Sequence, residues 1–424
     1  MKHHIAVVGA GFAGMAAAYE LNSLGVKVTV LEARERVSGR VWSKQLTNGA
    51  TVELGAEWIG PADHSVREIV KRLDLPLANV GVDFLVREPI QGESIPTEVQ
   101  HDTIRVAAET IESMDRSFVD QGTVTDLIDA LPVSQDRRTL FAARLRSSFG
   151  SDLSKIALRM MTDRDSPLRT YVDGAKGNEL YDRVVGGNHT IATTIAALLA
   201  ADDSADVRLK HSVSLITHDE TGVTVKGQAD GAPFEVKADG VIVAVPVKLA
   251  AELEFDPALP ADHADAIARV SMGMAAKIAV GTKEAPSIRA LQDVEKPYWC
   301  WTGKGGDGTV RKAITAFCGS THAQEHLATT SYDPTTWLNE LQTVNPDLEF
   351  VDEPIMVDWS QDDLALGCYS AFDNHAADTI PLLSKPEGRL FFAGEHTDKH
   401  SGTMNGALSS GLRAAKEVMD VVTH

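Results

Sequence analysis

The chain opens on a short uninterrupted apolar run, Ile5-Ala6-Val7-Val8, whose length and branched side chains suit a strand buried on both faces. The apolar residues of 15–24 then recur at helical spacing and stop at Gly25, a residue that closes helices without the cost of a Cβ. Val26-Lys27-Val28-Thr29-Val30-Leu31 alternates at period two, so it reads as a second strand, closed by Glu32. Strand, helix and strand in this order predict one βαβ unit.

The pattern then changes twice. From about 63 to 182 the apolar residues mostly keep a helical period, as in 102–118 and 123–131. From 207 to 245 alternation takes over, predicting strands at 213–216, 223–226 and 234–237 and an apolar run at 241–245 before Pro246. Turn residues at 219–222 and Asp230-Gly231 connect them. Strands are predicted again at 277–280 and 313–317, separated by a Gly-rich loop at 303–308. The end reads as a strand at 390–393, a polar turn at 394–402 and a helix at 403–421. No internal repeat or low-complexity segment appears.

Length and charge narrow the classes. With 424 residues, at ~150 per domain, two or three domains are expected. The formal net charge of −20 repels nucleic acid and anionic lipid and mildly attracts cations. Cys300, Cys318 and Cys368 are odd in number and match neither a disulfide framework nor a zinc pattern, so no metal site is expected and a reducing compartment is. No secretory leader and no apolar run of the ~20 residues that span a bilayer is evident, which makes the expected location cytoplasmic, away from the membrane.

Gly9-x-Gly11-x-x-Gly14 sits between the first strand and its helix. There the first glycine permits a tight turn, the second lets backbone approach a pyrophosphate, and the third, Gly14, lets helix and strand pack closely. Glu32, at the end of the next strand, is placed to accept from a ribose hydroxyl pair. This pattern is shared by NAD and FAD sites, so the dinucleotide must be decided elsewhere. Glu32-Ala33-Arg34-Glu35-Arg36-Val37-Ser38-Gly39-Arg40 follows, and taken alone is a solvated charged turn; Arg34 and Arg40 there would supply charge-assisted bonds to a pyrophosphate, with Gly39 allowing close approach.

Together these segments resemble the flavin-dependent amine oxidases, the family of monoamine oxidases, polyamine oxidases and L-amino-acid oxidases. Residues 32–40 are similar to its Glu-Ala-Arg-x-Arg-x-Gly-Gly-Arg signature, with Ser38 in place of one glycine. Gly55-Ala56-Glu57-Trp58 resembles the segment that passes along the flavin ring, Gly186-Gly187 the internal diglycine, and Val213 the valine that meets adenine through its backbone. Gly394-Glu395-His396-Thr397 and Thr403-Met404-Asn405-Gly406-Ala407 resemble the C-terminal flavin signature, whose helix points its N-terminus at the flavin pyrimidine. The matches run from Gly9 to Ala407, essentially the whole chain.

The resemblance implies FAD as cofactor and an α/β architecture: a doubly wound, Rossmann-like FAD-binding domain of the glutathione-reductase type, from 1–75, 184–264 and 385–424. A substrate domain of helices over a mixed sheet would come from 76–183 and 265–384. Lys277, out of place in an apolar strand, matches the lysine that holds a water against flavin N5 and assists re-oxidation. Trp359 matches by its spacing to Gly367-Cys368-Tyr369. Tyr369 matches half of an aromatic pair that sandwiches the amine; the other half falls at Thr403, which is not aromatic, so Trp58, Trp299 and Trp301 are candidates for the second wall, with core or loop packing as the alternative for each. Cys368 matches the cysteine that monoamine oxidases bond to the flavin 8α-methyl carbon. His396 and His400 are assigned to hydrogen bonding in their loop rather than to acid–base work.

The implied reaction oxidises an amine to an imine, which water hydrolyses, while dioxygen is reduced to hydrogen peroxide. Partners are then a small-molecule amine and dioxygen, and a homodimer is an allowed assembly. An amino acid or an N-heterocyclic amine of the hydroxynicotine kind remains an alternative substrate. A desaturase or protoporphyrinogen-oxidase-like enzyme is disfavoured by Lys277 and Cys368-Tyr369.

Overall fold

The computed structural model describes residues 3–161, 181–296 and 298–422, so part of the helical stretch expected up to 182 lies outside the described residues. The predicted βαβ unit is present as the strand His4–Val8, the helix Phe12–Ser23 and the strand Lys27–Leu31. These two strands form the middle of a five-stranded parallel sheet in the order Leu390–Phe392, Gly240–Val243, His4–Val8, Lys27–Leu31, Ala205–Arg208. The strands His4–Val8, Gly240–Val243 and Leu390–Phe392 read as apolar runs because both faces are covered. Ile5, Val7, Val28 and Val30 pack under the helices Phe12–Ser23, Thr190–Ala200 and Met404–Val422. Ala6, Val8 and Leu31 pack against Ile216, Val225 and Val236 of a four-stranded sheet on the other face.

The helices Phe12–Ser23 and Met404–Val422 approach backbone to backbone. A Cβ at Gly411 would stand 2.2 Å from the carbonyl oxygen of Ala13. Residues at both N-termini therefore face the same cavity, beside the carboxyl ends of the parallel strands.

A second, six-stranded sheet runs Phe350–Asp358, Ala275–Thr282, Ala313–Gly319, Tyr298–Thr302, Arg289–Gln292, Glu88–Pro89. All its pairings are antiparallel except the last. A separate helical core is built from Thr97–Ser113, Arg116–Gln121, Val124–Ala130 and Gln135–Phe149. The single helix predicted at 102–118 is thus two helices. Met114 is extended, and the Asp115 carboxylate accepts from the Ser117 N–H at 2.8 Å, which caps the second. No helix among the described residues is long and apolar enough to cross a membrane.

Candidate active site

A cavity of about 750 Å³ starts at the carboxyl ends of the parallel strands and ends against the six-stranded sheet. Most of the residues singled out from the sequence for cofactor or catalysis border it, but Gly14, Gly186-Gly187, His396-Thr397 and Asn405-Gly406 do not. Gly14 instead lies against the turn, where a Cβ would stand 1.9 Å from the Gly9 carbonyl oxygen. Its part is close helix–strand packing. Gly11 is the opposite case, since a Cβ there would meet no protein atom within 4 Å.

Glu32 is fixed by two backbone donors. One oxygen accepts from the Ala10 N–H at 2.7 Å and the other from the Arg34 N–H at 2.8 Å. A carboxylate has about four acceptor positions, so capacity remains for a hydroxyl pair. Arg34 borders the cavity and already has a partner. Its guanidinium forks onto Asp362 at 2.5 and 3.0 Å, so its charge ties the turn to a distant loop. Arg40 is similarly engaged, donating to the Cys368 carbonyl at 2.9 Å and to Glu395 at 3.0 Å. Glu395 also accepts from Ser370 and from the Gly402 N–H. Burial alone would push its pKa up, but Arg40 and these donors hold it below the usual carboxylate value.

Thr403 does not stand as an aromatic counterpart to Tyr369. Its Oγ1 donates to the His400 carbonyl at 2.6 Å and accepts from the Gly406 N–H at 2.9 Å, so it caps the last helix. The Tyr369 ring lies over Gly402, where a Cβ would be 3.5 Å away, and its hydroxyl donates toward the Ser147 and Ser148 carbonyls. The tryptophans singled out from the sequence lie together in an aromatic cluster. Trp58 stacks on Trp299 with centroids 5.6 Å apart, and Trp299 on Trp301 at 4.0 Å. Phe84 and Tyr181, not singled out from the sequence, close the cluster at 5.3 and 6.0 Å from Trp58.

Lys277 is buried at the middle of the strand Ala275–Thr282. Its ammonium donates to the Glu53 carbonyl at 3.1 Å, the Gly55 carbonyl at 2.9 Å and the Glu57 carboxylate at 3.0 Å. Burial pushes its pKa down, against the opposing pull of Glu57. Glu57 in turn meets Arg183 at 3.1 Å and Arg311 at 3.4 Å. The Cys368 thiol faces Gly150 and Gly273, where added Cβ atoms would stand 2.9 and 3.1 Å from its sulfur, and burial pushes its pKa up to about 12. His396 is buried outside the cavity lining, and burial lowers its pKa to about 4. It is neutral near pH 7.

A family model for flavin-containing amine oxidoreductases matches residues 12–419. The chain belongs to that family. Among curated members, it is 27% identical to polyamine oxidase 4 of Oryza sativa over 97% of this chain and 88% of that one. It is 26% identical to nicotine dehydrogenase of Pseudomonas putida, over 99% of this chain and 89% of that protein. Amine oxidase [flavin-containing] B of Sus scrofa is also 26% identical, over 99% and 86% of the two chains. Cyclohexylamine oxidase from Brevibacterium oxydans superposes with a TM-score of 0.83 at 21% identity, with all of both chains covered. Putrescine oxidase bound to putrescine does so at 0.81 and 22%, over 99% of each. At such identities these two structures establish the shared family fold.

Proposed function

We propose that this family member binds FAD along the cavity and oxidises an amine at the carbon bearing nitrogen, with dioxygen as the final acceptor. The observation that carries this reading is the continuity of one cavity from the Gly9–Gly11 turn and Glu32 to Lys277, Tyr369 and the tryptophan stack. The flavin would supply the hydride acceptor. Glu32 and the Val213 backbone would hold the adenosine end. Gly11, with the N-terminus of Phe12–Ser23, would receive the pyrophosphate. The N-terminus of Met404–Val422 carries no acidic residue in its first turn, so its partial positive charge is left for the flavin pyrimidine. Lys277 would hold a water at the reacting end, and Tyr369 with Trp58 and Trp299 would position the amine and keep bulk water out.

The same proposal divides the chain as the sequence suggests, with 1–75, 184–264 and 385–424 holding the cofactor and 76–183 and 265–384 the substrate. It also places the protein in the cytoplasm, in keeping with three buried, unpaired cysteines.

The test is anaerobic mixing with a broad panel of amines and amino acids. A substrate should bleach the flavin absorbance, and admitted air should restore it with release of hydrogen peroxide. A flavin that no member of the panel bleaches would remove this reading.

Attachment of FAD through Cys368 is disfavoured on our reading, because the thiol is held neutral and is turned against Gly150 and Gly273. Acid precipitation of the holoenzyme is therefore expected to leave a white pellet under a yellow supernatant. A yellow pellet that turns white in Cys368→Ser would show the covalent bond instead.

A further inference from the structure

We infer, resting on the amine-oxidation reading, that the substrate is an apolar or aromatic amino acid, with Arg87 and Arg144 at the aromatic end of the cavity binding its carboxylate. Both arginines border the cavity, yet they are only 1% and 5% exposed. Neither has an ion-pair partner among the described residues. Arg87 Nη1 donates to Gln292 at 2.7 Å and to Ser147 Oγ at 3.2 Å, while its Nη2 has no acceptor. Arg144 makes no side-chain hydrogen bond among the described residues, and its buried Nε has no acceptor.

Asp83 is the carboxylate whose charge reaches both, but its oxygens accept from the Leu85 N–H and pair with His101. Two neighbouring buried cations with no carboxylate in contact among the described residues cost stability, and a carboxylate that enters the cavity beside them relieves that cost. A guanidinium remains protonated at neutral pH and presents a fork that matches a carboxylate. Burial first, and then the charge of Arg144, press the Arg87 pKa down, and Asp83 offsets this only in part.

Geometry fixes what else the substrate carries. The Arg87 guanidinium lies 3.7 Å over the Trp299 ring, within the Trp58–Phe84–Trp299 cluster, so the anion site adjoins an apolar wall. Arg87 and Tyr369 are both anchored on Ser147, one through its Oγ and the other through its carbonyl. The carboxylate site thus adjoins the residue proposed to flank the amine. A short amino acid fits this, and a long diamine would bring a second cation against two arginines.

Two measurements test it. Benzoate titrated into the oxidised holoenzyme should perturb the flavin spectrum and bind about tenfold or more tighter than benzamide, its neutral analogue. Three substrate pairs differ only by the carboxylate: phenylalanine and phenethylamine, leucine and isoamylamine, tryptophan and tryptamine. For at least one pair, kcat/KM should favour the amino acid by roughly a hundredfold or more. Arg87→Met, or Arg144→Met should the former fail to fold, should collapse that preference and the benzoate selectivity together. Peroxide from the amines in preference to the amino acids, with benzoate no tighter than benzamide, overturns the inference and leaves amine oxidation standing. Peroxide from none of the six, with benzoate still preferred and that preference lost in the variants, supports the carboxylate site and removes amine oxidation.

Discussion

Gly11→Val is expected to give a folded, colourless protein. The Gly11 backbone is extended, at φ −70° and ψ −180°, which a β-branched residue adopts without strain. A Cβ there meets no protein atom within 4 Å, so the chain itself hardly registers the change. The new side chain enters the cavity beside the helix N-terminus, where the backbone must come close to a pyrophosphate. Gly14→Ala is the contrasting control, because its methyl would stand 1.9 Å from the Gly9 carbonyl oxygen and push helix and strand apart. Flavin absorbance per chain and thermal unfolding separate the two. Gly11→Val should keep its fold and lose its colour, and Gly14→Ala should lose both. Full flavin content in Gly11→Val would show that the pyrophosphate lies elsewhere.

What the sequence could reveal of this site followed from local geometry. The glycine turn was legible because strand, turn and helix are contiguous, and Lys277 because one cation interrupts an apolar strand. The partners of that lysine were not legible. Two of its three acceptors are backbone carbonyls more than two hundred residues away, and no side chain reports them. The Arg34 ion pair was hidden for the same reason, since Asp362 stands 328 positions further on.

The strand Tyr298–Thr302 escaped because both its faces are buried, which removes the alternation that marks a half-exposed strand. Trp299 and Trp301 point to the aromatic cluster, while Tyr298 and Cys300 enter a second core. Arg87 and Arg144 looked like ordinary polar positions. Arg144 belongs to a helix with other arginines at 137, 138 and 146, and only burial separates it from them. Charge summed over the chain pointed the other way. A net −20 favours cationic ligands at long range, but these two buried cations decide what is stable inside the cavity.

Glu57→Gln is expected to cause the largest loss of stability of any isosteric change in the cavity wall, about 3–5 kcal/mol, the range for removing one partner of a buried ion pair. The Glu57 side chain is fully buried and takes Lys277, Arg183 and Arg311 within 3.4 Å. Burial raises its pKa, but the three cations lower it by more, so the carboxyl titrates below its usual value. Stability from this depression is present above the usual carboxylate range and is lost as pH falls through the folded pKa. Glutamine keeps the shape and removes the charge, leaving three cations with Glu53 as the nearby carboxylate among the described residues. Burial holds the Glu53 pKa up, so it is a poor substitute. Lys277→Met should cost less, because Glu57 then keeps both guanidiniums; its main effect is expected on flavin re-oxidation by dioxygen, with flavin reduction by substrate slowed far less. Urea unfolding of both variants, with rapid mixing of the two half-reactions for Lys277→Met, separates a charge that supports the fold from one that serves the chemistry. A Glu57→Gln protein within about 1 kcal/mol of wild type would mean that Lys277 sheds its proton once its counter-charge is gone, the direction in which burial already drives it.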